Sequence, residues 1–194
     1  MVNSIRAQVA MSHVIEEKRY RARTTTSLVA SILVGLTLLI AGSGKAFGFG
    51  EMPGQTMKFI GAVLPDALLT PEVAYFIGDI FFPYIIPWTE LSLGMLLLLR
   101  VWPRLMAVLC LPLVAAFMAN NSWLIAQGKT KFSACECFGI WEELFGTLTP
   151  LQALGVDIGL FLLALIITFV QPGGFLASPS WLTRLGQKLR PQYD

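Results

Sequence analysis

Three stretches of this chain each run for about a bilayer's depth with a single charged residue apiece. They are Ser27 to about Ala46, Pro103 to about Ala126, and Pro150–Val170. A hydrocarbon core about 30 Å thick takes roughly 20 apolar residues in a helix that rises about 1.5 Å per residue. The apolar residues come in unbroken runs rather than on one face, so each block predicts a membrane-spanning helix. The last block carries its own punctuation: Thr149 as N-cap, Pro150 at the first helical position, and Gln171-Pro172-Gly173-Gly174 as the stop.

Composition agrees. Of 194 residues, 55% are hydrophobic and 13% charged, against about 25% charged in a soluble domain. A net charge of +2, with basic residues at segment ends, excludes a nucleic-acid-binding surface. Three cysteines are too few for a disulfide-rich secreted scaffold.

A fourth apolar block, Val73–Val101, is too long for one upright span and contains Pro83 and Pro87. Proline removes a backbone donor and clashes with the preceding turn. The expected solution is a break: a short membrane-embedded helix over Val73–Phe82, then a span from about Tyr84–Pro87 to Leu99–Val101. Trp88 and Trp102 fall near its two interfaces, where indoles prefer to sit. After Gly174, the residues Trp181, Leu182, Leu185 and Leu189 share one helical face, with Arg184 and Lys188 off it. That pattern predicts a helix lying on the membrane surface. A weaker version of it in the N-terminal segment predicts the same there.

The expected fold is therefore all-α: a polytopic four-transmembrane-helix bundle with a short extra embedded helix before span two and an interfacial C-terminal helix. Residues 1–26 form a basic N-terminal segment, residues 27–170 the membrane domain and residues 171–194 an amphipathic tail. Ten Lys and Arg fall in the N-terminal segment, the loop between spans two and three, and the tail. Four fall on the other side: Lys45, Lys58, Lys129 and Lys131. Positive residues stay inside, which puts both termini in the cytoplasm and the protein in the cell (inner) membrane. The first block could instead be a signal segment cut near Ala41-Gly42-Ser43, but it is long for that and 26 residues precede it.

The loop between spans three and four then faces the extracytoplasmic, oxidising side and carries Cys135 and Cys137. Two thiols one residue apart need a tight backbone to pair, and strained, exposed disulfides are the labile ones. The pair reads as a thiol–disulfide exchange site or, equally, as a loop staple or two reduced thiols. No metal site is expected: His13 lies on the other side, and two thiolates with Glu136, Glu142 or Glu143 make a poor zinc set. Cys110, inside span three, counts as a small hydrophobe.

Ionisable residues at membrane depth are costly and default to functional candidates. Here they are Asp79, Glu90, Asp157 and Lys45. Lys45, Glu90 and Asp157 all approach the leaflet beneath the cysteine loop, where they could form a paired polar cluster or simply pin spans one and two together. Glu90 near Trp88, Tyr84 and Phe47 would suit a quinone head group, though nothing in the sequence requires one. No histidine pair serves a haem, and no GxGxxG fingerprint serves a nucleotide.

Three short stretches carry a resemblance: Ala41-Gly42-Ser43-Gly44-Lys45, Ile86-Pro87-Trp88-Thr89-Glu90-Leu91-Ser92-Leu93-Gly94, and Cys135-Glu136-Cys137-Phe138-Gly139. In this order, over Ser27 to Val170, they resemble the DoxX-like superfamily, and within it the MauE family of methylamine-utilisation membrane proteins. The resemblance implies accessory redox work: supporting thiol/disulfide redox or maturation of an extracytoplasmic partner. It maps Cys135 and Cys137 onto the family's cysteine pair, and Lys45 and Glu90 onto its membrane-embedded polar positions. The family pattern has glycine between the cysteines where this chain has Glu136, and a carboxylate there disfavours the thiolate. The competing reading is a non-catalytic membrane anchor bound to the larger subunits of a quinone-linked oxidoreductase. A small-solute transporter is a third, weakened by the lack of an internal repeat.

Overall fold

The computed structural model describes residues 2–47, 54–65, 67–131, 141, 146, 148–172 and 174–175. All regular structure among them is helical: α1 (Val2–Phe47), α2 (Gly54–Val63), α3 (Pro71–Tyr75), a π-helix (Phe76–Ile85), α4 (Ile86–Leu98), α5 (Pro103–Ala126) and α6 (Pro150–Val170). Four helical runs are long and apolar enough to cross a membrane: His13–Phe47, Pro71–Leu98, Pro103–Ala126 and Pro150–Val170. The polytopic helical bundle expected from the sequence is the fold.

Two expectations need correction. The N-terminal segment is not a separate surface helix, because α1 runs unbroken for 46 residues from Val2. No Gly or Pro occurs between Val2 and Val34 to interrupt it. An Arg21–Glu17 ion pair at 2.6 Å bridges adjacent turns. At 1.5 Å per residue α1 is about 69 Å long, more than twice the hydrocarbon thickness.

Nor does the second span break at its prolines. The chain stays helical from Pro71 to Leu98, passing through the π-helix. The Ile86 N–H bonds to the Phe81 carbonyl, five residues back. The widened π turn absorbs Pro83, which lacks a donor and would clash with the carbonyl four residues earlier in an α-turn. Asp79, exposed on this π-helix, lies about 28 Å from the Leu98 end, at the edge of a hydrocarbon layer counted from there. The short extra helix before span two is instead α2. It packs on α5, burying Thr56 and Ile60 and setting Phe59 against Trp123 with ring centroids 5.8 Å apart.

The helix termini follow the sequence signals. Thr149 caps α6, its side chain accepting from the Gln152 N–H while Gln152 Oε1 accepts from the Thr149 N–H at 2.9 Å. The expected interfacial helix in the tail lies outside the described residues.

In the bundle α1 packs against α4, α5 against α6, and α1–α6 and α4–α5 contacts close the ring. Each helix buries one stripe at three- and four-residue spacing: Ala30, Val34 and Leu38 on α1; Leu93 and Leu97 on α4; Met106, Cys110 and Val114 on α5; Leu160, Ala164 and Ile167 on α6. Lipid tails are as apolar as leucine, so close packing rather than water exclusion holds such a core. Between α1 and α4 it is backbone on backbone: a Cβ on Gly94 would sit 2.8 Å from the Gly35 carbonyl oxygen.

One end of the bundle is tied by neutral and basic groups. The Ser27 hydroxyl donates to Gln171 Oε1, which also accepts from Arg100 at 3.3 Å. Arg104 donates to the Thr168 carbonyl at 2.7 Å. The opposite end, where α1 finishes and α4 and α6 begin, holds the buried ionisable groups.

Candidate functional site

The stripe positions that are leucine or alanine deeper in the bundle become polar at this end. On α4 the buried series Leu97, Leu93 continues to Glu90. On α5 the series Val114 and Phe117 leads to Asn121. On α6 Ala164 and Leu160 are followed by Asp157. Helical periodicity therefore aims three polar side chains into the packed interior.

Lys45, in the last turn of α1, donates to Glu90 Oε1 at 2.7 Å. The Glu90 side chain is 1% exposed and that of Lys45 is 19% exposed. The ammonium also lies over the Phe117 ring, 4.9 Å from its centroid, a favourable cation–π placement. Close approach of α1 and α4 makes this contact possible: a Cβ on Gly42 would sit 2.9 Å from the Pro87 carbonyl oxygen. The second Glu90 oxygen, Oε2, is buried with no hydrogen-bond partner.

Asp157 is held separately. Asn121 donates its amide to Asp157 Oδ2 at 2.7 Å, with Asn121 4% and Asp157 8% exposed. Asn121 lies one helical turn from Phe117, the ring beneath the Lys45 ammonium, so this helix sets the Asn121–Asp157 pair beside the Lys45–Glu90 pair. Lys45, Glu90 and Asp157 thus belong to one polar cluster built from α1, α4, α5 and α6, with Lys45–Glu90 in direct contact.

Lys45 is also close in sequence to Ser43, whose hydroxyl donates to the Ile40 carbonyl at 2.9 Å and accepts from the Trp141 indole at 3.1 Å. Trp141 lies four residues after Cys137. Cys135 and Cys137 themselves, with Glu136, Glu142 and Glu143, lie outside the described residues. Among the described residues no group of three His, Cys, Asp or Glu side chains could hold a metal ion. Cys110 is fully buried in the core.

Tyr84 and Trp88, two of the aromatic residues linked above to Glu90, face away from it. Tyr84, Trp88 and Ser92, one turn apart on α4 and its π extension, line an open groove of ≈ 570 Å³ with Leu96, Met106 and Leu109. Glu90 points to α1 instead, because two residues along a helix turn the side chain by about 200°.

Asn121, Phe117 and Trp141 were not singled out from sequence, and Ser43 only as part of the Ala41–Lys45 stretch. The signal available for Asn121 was the amide pair Asn120-Asn121 within an otherwise apolar 24-residue helix. For Phe117 and Trp141 there was none.

Comparison with curated proteins and with solved structures found no match. The family model described as methylamine utilisation protein MauE matches residues 23–170, which takes in the four spans from the membrane part of α1 to the end of α6. The chain is a multi-pass membrane protein and belongs to the MauE family.

Proposed function

We propose that this protein is a membrane redox-accessory factor that oxidises the thiols of an extracytoplasmic partner through Cys135 and Cys137. A partner thiolate attacks the Cys135–Cys137 disulfide and forms a mixed disulfide. The second partner thiol then resolves it, leaving the partner oxidised and both cysteines as thiols. Reoxidation passes two electrons and two protons to a membrane-soluble acceptor of the quinone class, which becomes the quinol.

The observation that carries this reading is the Trp141–Ser43 hydrogen bond. It ties the segment after the cysteine pair to the bundle end that holds Lys45, Glu90 and Asp157. A backbone spans at most about 3.6 Å per residue, so Cys137 stays within about 14 Å of Trp141. The charge count supports an extracytoplasmic position for that end. Arg100 and Arg104, on the side richer in basic residues, sit at the opposite end with Gln171 and Thr168.

Thiol trapping in intact cells tests the proposal. An impermeant alkylating reagent should reach Cys135 and Cys137 from outside, and trapping should resolve two interconverting redox states. Cys135→Ser and Cys137→Ser should each abolish oxidation of the partner. A pair that never changes state, or labelling only after the cytoplasmic face is opened, overturns it. Activity that survives with both serines in place points to the anchor-subunit role instead.

A further inference from the structure

The polar cluster has an unbalanced charge count. Lys45 contributes one positive charge, while Glu90 and Asp157 contribute two carboxylates. No other ionisable side chain faces them from the packed helices among the described residues: α5 supplies Phe117 and Asn121, Asp79 is exposed on the π-helix, and Lys58 is exposed on α2. With every group ionised, the cluster would carry a net negative charge inside a low-dielectric bundle, which is costly unless something balances it.

The geometry also leaves an acceptor waiting. Glu90 Oε1 is taken by Lys45, but Oε2 is sealed from solvent and has no partner. A carboxylate oxygen in that position can take up a proton and become a donor, accept from a bound water, or ligate a metal cation. A cation would need a shell of several oxygens. The oxygens on hand are Glu90 Oε2 and those of Asp157 and Asn121, of which Asp157 Oδ2 already accepts from Asn121. One proton balances the charge and asks for a single acceptor rather than a shell.

We propose that Lys45, Glu90 and Asp157 form a binding site for a single exchangeable proton, carried by one or other of the two carboxyl groups. Glu90 and Asp157 are both buried, at 0% and 8% exposure, and Lys45, with its side chain 19% exposed, is the most exposed member of the cluster. Lys45 fixes the stoichiometry, because its ammonium neutralises one carboxylate and leaves room for one proton. This site does not depend on the thiol reading and stands whether or not Cys135 and Cys137 exchange.

Infrared spectroscopy on the full chain in lipid discs, near neutral pH, reads the proton directly. The protein should show a protonated-carboxyl stretching band that shifts in heavy water. Isotopic labelling of Glu and Asp carboxyl carbons in the native sequence should move that band, with no substitution needed. Lys45→Met should raise its intensity about twofold, since two protons are then needed for neutrality. Glu90→Gln or Asp157→Asn should abolish it. Absence of the band in the native protein overturns the proposal, as does a band that carboxyl labelling leaves in place. A band that appears only when sodium and potassium are withdrawn also overturns it, and assigns the site to a metal cation.

Discussion

Gly42 on α1 lies against Glu90 on α4 with no space for a side chain between them. A Cβ at position 42 would meet the Glu90 Cβ at 3.0 Å and the Leu91 nitrogen at 2.6 Å. The same turn of α1 ends at Lys45, whose ammonium reaches Glu90 at 2.7 Å. The glycine and the ion pair are one device. Backbone proximity at position 42 sets how far the lysine must reach three residues later.

Gly42→Ala should therefore push α1 from α4, lowering stability by about 1–3 kcal/mol, as overpacking does. Gly155→Ala and Gly159→Ala on α6 are the controls. Nothing lies within 4 Å of a Cβ at either position, so alanine should be neutral or add up to about 1 kcal/mol through helix propensity. Unfolding in mixed detergent micelles measures all three. Equal losses at all three sites would remove the close approach as the cause.

Lys45→Met takes the cation from Glu90, which must then lose its charge by taking up a proton, and should cost about 3–5 kcal/mol, the usual penalty for breaking a buried pair from one side. Replacing both partners, Lys45→Met with Glu90→Leu, should recover most of that loss, because an apolar pair fits the membrane as well as the ion pair does. A double-mutant cycle under the same unfolding conditions checks this. Additive losses would mean that the two residues act independently.

Legibility in the sequence divides along physical lines. Apolar block length gave the spans, and Thr149-Pro150 gave the start of α6, because those signals are local. Glu90 and Asp157 stood out as carboxylates at membrane depth. Their partners did not, since which polar residue on α5 faces α6 depends on how two helices are rotated against each other. The α1–α4 interface was hidden for the same reason: Gly35 and Gly94 signal close packing only once they are opposed. The prolines misled in one respect. Pro83 and Pro87 marked a disturbance correctly, but a π-helix relieves the same clash as a break, and local sequence does not separate the two.

The Trp141–Ser43 contact offers a graded test of the loop's attachment. Trp141→Phe keeps the ring and removes the donor, and Ser43→Ala removes the acceptor. Each should cost about 0.5–1.5 kcal/mol locally, which corresponds to roughly 2–10-fold more frequent opening of the segment around residue 141. Hydrogen exchange there should accelerate by that factor while the α5 and α6 cores stay unchanged. Unaltered exchange in both variants would show that the indole does not hold the loop to the bundle.

Asn121 and Asp157 make a second polar pair with a different dependence on charge. Asn121→Leu removes the donor from a carboxylate that is 8% exposed, and an unsatisfied buried acceptor costs about 1–3 kcal/mol. Asp157→Leu in the same chain should return much of that, because leucine asks for no donor and suits the apolar stripe of Leu160 and Ala164. Asp157→Asn should be tolerated better than Asp157→Ala, as an amide can still accept from Asn121. Thermal unfolding of the four variants ranks them. If Asn121→Leu alone is neutral, the amide is not what satisfies Asp157, and the contact at 2.7 Å contributes nothing to stability.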